Sequence, residues 1–302
     1  MTRIEVKKVL KRFGRTVALN RISMMIPDSA VYGLIGANGA GKSTLMRTLS
    51  GVLKPDRGTV LLDGAPVYEK VAQKRRCFSV SDEQYCFSDS TPRSLMRYYA
   101  MLYPKFNTAR CRGLLAEMGL GERSRLRAMS KGMRRQVWMA LAVSAGTDCL
   151  LCDEAFDGLD PVSRQTIKKA IIEEIDERGL TVVLTSHNLF ELENLADHVG
   201  LLNNGALLFS SSVDEVRGQL RKVQYVSEQP AEPQMLFAGC TVLSEEKRGR
   251  LCTAVVRGSR ERTEACLRRV PMVYCEDIPL SLEEIFMTEM EAKGYETDQI
   301  GV

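Results

Sequence analysis

The stretch Gly36-Ala37-Asn38-Gly39-Ala40-Gly41-Lys42-Ser43-Thr44 constrains this chain more than any other. It follows the pattern G-x-x-x-x-G-K-[ST] of a phosphate-binding loop. A short apolar run, Val31 to Ile35, precedes it, and a helical pattern follows from Lys42 to Gly51 with Leu45, Met46 and Leu49 on one face. In that context the glycines let the backbone curl so that its N–H groups face phosphate oxygens, and the helix N-terminus adds positive potential. Lys42 would reach the β- and γ-phosphates of a nucleotide, Ser43 would ligate Mg²⁺ and Thr44 would bond the α-phosphate. A glycine-rich turn that fits the pattern by chance is the alternative, and the strand before and helix after it argue against that.

A second signal is Leu150-Leu151-Cys152-Asp153-Glu154. A carboxylate at the end of a buried strand can hold Mg²⁺, as Asp153 would. The next one, Glu154, can polarise an attacking water as general base. Paired acids after an apolar strand also occur as ordinary loop residues; behind a phosphate loop they become a catalytic candidate. A third signal is Ser130-Lys131-Gly132-Met133-Arg134-Arg135-Gln136, which leads into the apolar stretch Val137 to Ala145. A small polar residue and a glycine at a helix start form a further anion site.

Apolar strands alternate with helical patterns elsewhere in the chain. Ile4 to Val9, Gly58 to Leu62, Cys77 to Val80, Cys149 to Cys152 and Thr181 to Leu184 read as strands, and Pro161 to Arg178 as a helix. Continuous apolar strands joined by helices imply a parallel sheet covered on both faces. The stretch from Thr91 to Ala145 reads as a helical insert, with Leu95, Tyr98, Tyr99 and Leu102 on one helix face. The character changes near Lys222, and Ser227 to Pro233 reads as a linker. Beyond it come strands at Cys240 to Leu243, Leu251 to Val256 and Val273 to Glu276, and helices at Arg260 to Val270 and Ser281 to Lys293. The expected fold class is therefore α/β: a P-loop core over 1–220 with a helical insert near 85–145, and a small α/β appendage over 221–302.

Bulk properties narrow the function classes. Of 302 residues, 44% are hydrophobic and 26% charged, as in globular proteins. A net charge of +4 is too mild to indicate a nucleic-acid binder. Nine cysteines, an odd number, behind a charged and alternating start from Met1 to Arg12, read as reduced thiols in a cytosolic protein. Cys149 and Cys152 form C-x-x-C on a strand, where positions three apart face opposite sides and cannot share a metal. No run approaches the ~18 apolar residues that read as a span. If the protein works at a membrane, another chain is expected to supply the span.

Together the three motifs resemble the nucleotide-binding subunits of ABC transporters, whose signature reads Leu-Ser-Gly-Gly-Gln. Here Met129 stands for Leu, Lys131 for the first Gly and Met133 for Gln, while Ser130 and Gly132 are kept. Lys131 either strengthens a phosphate contact or faces solvent. In the same chain order, Gly158-Leu159-Asp160-Pro161 resembles the loop that communicates across the dimer, which brings in Asp160. His187 resembles the switch histidine on the γ-phosphate, and Phe13 the aromatic stacked on adenine. His198 lacks such a context and reads as structural. The family's glutamine after the third strand falls at Asp82, with Glu83 and Gln84 beside it; an acid there would still contact Mg²⁺.

The resemblance covers about Met1 to Leu220. It implies an ATPase with ATP and Mg²⁺ as ligands, in which Lys42, Glu154 and His187 are catalytic. It also implies a second ATPase subunit, identical or not, and a transmembrane permease that places the chain on the inner face of the cell membrane. Ser281-Leu282-Glu283-Glu284-Ile285-Phe286 resembles a C-terminal segment of bacterial ABC-2-type exporter ATPases and favours export. The alternative is a soluble ABC-type ATPase uncoupled from transport. Ribosome-type members carry two such cassettes and DNA-repair types long coiled coils, and neither fits this sequence. An Asn-Lys-x-Asp guanine motif is also lacking.

Overall fold

The computed structural model describes residues 3–81, 84–85, 87, 89–154, 156–186, 189–193, 195–228 and 233–292. The chain opens with β1 (Ile4–Phe13) and β2 (Thr16–Ile26), followed by β3 (Val31–Ile35), α1 (Lys42–Leu49), β4 (Arg57–Leu62), β5 (Ala65–Pro66), α2 (Val71–Lys74) and β6 (Cys77–Val80). The helical insert holds α3 (Pro92–Leu102), α4 (Thr108–Glu117) and α5 (Lys131–Val143). Then come β7 (Cys149–Cys152), α6 (Pro161–Arg178), β8 (Thr181–Ser186), α7 (Leu189–Leu192), β9 (His198–Asn203) and β10 (Ala206–Ser212).

Two sheets form this part. One runs β10-β9-β3-β8-β7-β6, and its β9, β3, β8, β7 and β6 are parallel. Every residue of β3, β7 and β8 is buried, which is why these strands read as unbroken apolar runs rather than alternating ones. The other is antiparallel, β2-β1-β4-β5. Its strand β2 escapes the sequence reading because the register shifts against β1, so the inward residues lose strict alternation. Val6, Ile22 and Val60 of this sheet share one core with Leu34, Leu45, Leu151 and Val183. Each such fully buried side chain is worth about 1.5–3 kcal/mol.

The helices begin where the sequence provides caps. Thr91 and Ser94 form a reciprocal capping box on α3, with Pro92 in its first turn. Asp160 accepts the Ser163 N–H at the start of α6, and Gly179, at φ 69°, ends it. Leu95 and Met96 are the apolar residues that α3 buries; Tyr98 and Leu102, expected on the same inward face as Leu95, stay substantially exposed. The aromatic contacts run instead through Tyr99, whose ring neighbours Phe78, Tyr103 and Trp138.

The thiols of Cys77 and Cys149 meet across the paired strands β6 and β7. Their hydrogen bond, then burial, push the Cys149 thiol well above its ordinary range. Burial likewise pushes the Cys152 thiol up to about 12. Both are inert, buried thiols. His198 sits at the first position of β9, in register with Tyr32.

Contacts divide the chain within β10, into Met1–Ser210 and Ser211–Val302. The change of composition near Lys222 comes later because α8 (Val213–Gln219) is an ordinary amphipathic turn of chain, capped by Ser212, with no linker composition before it. The second unit continues with β11 (Leu220–Ser227), α9 (Pro233–Leu236), β12 (Thr241–Arg248), β13 (Leu251–Arg257), α10 (Arg260–Leu267), β14 (Met272–Ile278) and α11 (Leu282–Ala292). Its sheet order, β12-β13-β11-β14, is antiparallel throughout and interleaves two β-α-β passes, the split arrangement of ferredoxin-like domains. Val223, Tyr225, Phe237, Ala254, Val256 and Cys266 form its separate core.

Candidate functional site

The loop after β3 carries the phosphate-binding pattern to the C-terminal edge of the parallel sheet, where open α/β sheets place their ligands. A concavity of ≈ 340 Å³ lies there, lined by Ala37, Asn38, Gly39, Gly41, Lys42, Ser43, Thr44 and Glu154, with Thr16, Val17, Ala18, Asn204 and Gly205 closing another side. Gly41 is the N-cap of α1 at φ 107°, and a Cβ there would lie 2.6 Å from the Ala18 carbonyl oxygen, so only glycine fits. Lys42 is 5% exposed. Its Nζ donates to the carbonyls of Gly36 (2.5 Å) and Ala37 (3.3 Å) and lies 3.4 Å from Glu154 Oε1.

Asp153 and Glu154 follow β7 directly. The Asp153 carboxylate is 6% exposed, and Oδ1 accepts the Thr185 hydroxyl at 2.6 Å. The Glu154 N–H donates to the same hydroxyl oxygen at 2.8 Å. Glu154 adopts φ 50°, a left-handed conformation that costs a non-glycine residue about 1–3 kcal/mol and clusters at functional sites. That turn aims its carboxylate at Lys42 and not along the strand.

Ser130 caps α5, accepting the Met133 N–H at 3.1 Å. Gly132 lies so close to Gly158 that a Cβ on it would collide with the Gly158 carbonyl oxygen. Lys131 reaches Asp157 at 3.1 Å, so its ammonium has a carboxylate neighbour within the same chain. Asp160 takes the Ser163 hydroxyl at 2.6 Å and the Gln136 amide at 2.8 Å. The Ser163 bonds, side chain first and then backbone, hold the Asp160 carboxyl below the usual carboxylate range.

Phe13, at the end of β1, is 52% exposed with Lys11 Nζ 5.6 Å from its ring centroid, and it does not line the concavity. Asp82, Glu83 and His187 lie outside the described residues. Gln84 folds back, its Oε1 accepting both the N–H (3.1 Å) and the hydroxyl (2.9 Å) of Ser81. A small divalent cation such as Mg²⁺ keeps several waters and needs only one or two protein oxygens beside the phosphates. The buried Asp153 carboxylate at the end of β7 and the exposed Ser43 hydroxyl on the loop fit that demand.

Residues 19–157 match the protein-family profile described as ABC transporter. The daunorubicin/doxorubicin resistance ATP-binding protein DrrA of Streptomyces peucetius is 34% identical, over 72% of this chain and 67% of its own. This chain belongs to the family of ABC transporter ATP-binding proteins. The ABC transporter ATP-binding protein YtrB of Bacillus subtilis (strain 168) is 25% identical over 96% of this chain and 99% of its own, so the likeness extends through the second unit. Among solved structures, an ATP-binding subunit of an ABC transporter superposes with a TM-score of 0.66 at 26% identity, covering 71% of this chain and 91% of that one. ATP binding and ATP hydrolysis are thus the chain's activities.

Three residues of this ABC ATPase do work that the sequence reading missed. Thr185 ties Asp153 to Glu154; it stands two positions before His187, but a buried threonine in a strand carries no motif of its own. Arg135, 3% exposed on α5, donates from Nη1 to the carbonyls of Ser81 (3.0 Å) and Asp153 (3.3 Å). It joins the helical insert to the ends of β6 and β7. Gln136 joins the same helix to Asp160 and Ser163. Both were legible only as polar residues flanking an apolar helix.

Proposed function

We propose that this ABC ATPase drives export through a separate membrane-spanning partner, with two ATPase subunits closing on ATP. The observation that carries the catalytic part is the convergence of Lys42, Asp153 and Glu154 at one end of the parallel sheet, around a concavity lined by the phosphate loop. Phosphates arriving there compete with Glu154 for the Lys42 ammonium. Once displaced, Glu154 is an acceptor beside the γ-phosphate position, suited to orienting and deprotonating the attacking water. Ser43 and Asp153 would hold Mg²⁺, which would supply positive charge to offset the negative charge that develops during phosphoryl transfer. Asp82 and His187 are assigned to Mg²⁺ and γ-phosphate contact by the family resemblance. Phe13, exposed at the end of β1, is the adenine platform.

Ser130 and Gly132 would complete the site of the facing subunit, so that chemistry requires closure. The helical insert would pass that closure to the permease, which holds the chain at the cytoplasmic face of the membrane. Ser211–Val302 is an accessory domain. Export is supported by the relatives whose names refer to lantibiotic transport, bacitracin transport and daunorubicin/doxorubicin resistance. A methionine import protein at 33% identity lies in the same range, so direction is a property of the partner.

The test is ATPase activity of the purified chain beside Glu154→Gln, with size-exclusion chromatography with and without ATP. Turnover in the wild type and an ATP-dependent dimer in the variant are expected. Turnover of Glu154→Gln at the wild-type rate would remove Glu154 from the role of base. A variant that stays monomeric with bound ATP would rule out closure between two copies of this chain and require a different second subunit.

A further inference from the structure

A second concavity, of ≈ 920 Å³, lies on the antiparallel sheet away from the phosphate loop. Four cations line it, Lys7, Lys8, Arg21 and Arg57, together with the nearly buried Val6 and Leu10. Among the described residues no acidic side chain lines it. Lys7 is paired with Glu5 at 2.7 Å. Asp56, next to Arg57 in sequence, is already taken by Lys11 Nζ (3.0 Å) and the Arg12 N–H (2.7 Å). Lys8, Arg21 and Arg57 have no ion-pair partner among the described residues.

The backbone under these cations is unusual. Lys8 adopts φ 48° and Arg21 φ 52°, on facing strands, and Gly58 opposite Lys8 adopts φ 79°. The pairing of β1 with β2 shifts register between Val6 and Val9 and again between Val9 and Lys11; the pairing of β1 with β4 shifts between Lys7 and Leu10. Such irregular pairing on both sides of β1 bends the sheet and opens the trough. Left-handed positions suit glycine, asparagine or aspartate. Here two of them carry long cations, and strained backbone of this kind clusters at functional positions. The strands are ~5 Å apart, so the cations span roughly 10 Å across three strands.

We propose that this trough is an anion-binding site separate from the nucleotide site, which takes a phosphate ester. Guanidinium groups match phosphate oxygens with paired hydrogen bonds, and Lys8 adds a point charge. A soluble phosphate ester and a glycerophospholipid headgroup share this chemistry. None of these residues lines the nucleotide concavity, so the site stands or falls apart from the ATPase mechanism.

The experiment uses the full chain with its nucleotide site saturated by ADP and Mg²⁺. Glycerol 3-phosphate is titrated by calorimetry, and flotation is measured with vesicles of phosphatidylglycerol in phosphatidylcholine and of phosphatidylcholine alone. The same measurements are made on the double variant Lys8→Asn/Arg21→Asn, whose asparagines tolerate the left-handed backbone and remove both charges. Binding of glycerol 3-phosphate without flotation assigns a soluble ester; flotation with phosphatidylglycerol vesicles alone assigns the headgroup. In either case the double variant is expected to lose at least tenfold in affinity while its ATPase rate and melting temperature hold or rise. Binding of neither probe, or binding that the double variant leaves intact, overturns the proposal.

Discussion

The Thr185 hydroxyl donates to Asp153 Oδ1 at 2.6 Å while its oxygen accepts the Glu154 N–H at 2.8 Å. One side chain on β8 thereby orients both acids at the end of β7. Thr185→Val keeps shape and burial but removes both bonds. Outer-shell partners of this kind are worth about 10–100-fold in metal affinity or activity. The expected result is a loss of that size in kcat, a higher Mg²⁺ requirement, and recovery in Thr185→Ser. Steady-state ATPase kinetics at several Mg²⁺ concentrations measure it; wild-type behaviour in Thr185→Val would leave the bonds without a catalytic part.

Gly132→Ala sets helix propensity against a collision. In the first turn of α5, alanine is favoured over glycine by up to about 1 kcal/mol. The added Cβ, however, would meet the carbonyl of Gly158, which belongs to backbone and not to a flexible side-chain tip. Overpacking of this kind typically costs about 1–3 kcal/mol, so the collision wins. The melting temperature should fall, and turnover should fall with it, while ATP affinity at the Lys42 loop changes little. Thermal melts and equilibrium nucleotide binding separate the two effects.

Arg135→Met tests the link between α5 and the strand ends. It withdraws a buried cation from the Ser81 and Asp153 carbonyls. Hydrogen bonds to charged groups are worth about 1.5–3 kcal/mol each, and the carbonyls left behind are shielded from water. A drop of several degrees in melting temperature is expected. Arg135→Lys should recover little of it, because an ammonium lacks the planar fork. Full recovery by lysine would mean that charge alone is required there.

The Asp160 carboxyl, depressed by its bonds from Ser163, predicts an acid limb of stability. With the folded value below the unfolded one, the unfolded chain binds more protons between them. The contribution is complete above the unfolded value, about 3.9, and disappears as pH falls through the folded value. Asp160→Asn still accepts the Ser163 N–H but does not titrate. Asp160→Asn should be the less stable protein at neutral pH, where the carboxylate contributes in full, and the gap should close as pH falls below about 4. Equal slopes for both proteins across the acid range would show that this carboxyl does not contribute.

The second unit shows how far local patterning reaches. Its strands β13 and β14 and helix α11 are visible within a residue or two, because β-branched and aromatic residues mark the strands and α11 repeats at helical spacing. The pairing order β12-β13-β11-β14 is not visible, since each strand would satisfy its local pattern beside any neighbour. The same holds for β2, whose bulges against β1 scramble the alternation that sequence reading relies on.

The sequence by itself determined the phosphate loop, its flanking strand and helix, and the candidate acids Asp153 and Glu154. These depend on local chemistry: glycines where the backbone must curl, a lysine at its end, and an apolar strand that stops at carboxylates. Only the tertiary structure decided that Glu154 turns back onto Lys42, that Thr185 holds both acids, and that Arg135 reaches the ends of two strands. It also decided that Lys8, Arg21 and Arg57 share one trough. Those relationships join residues on different elements, and their energies exist only once folding brings the partners within hydrogen-bond or Coulomb range.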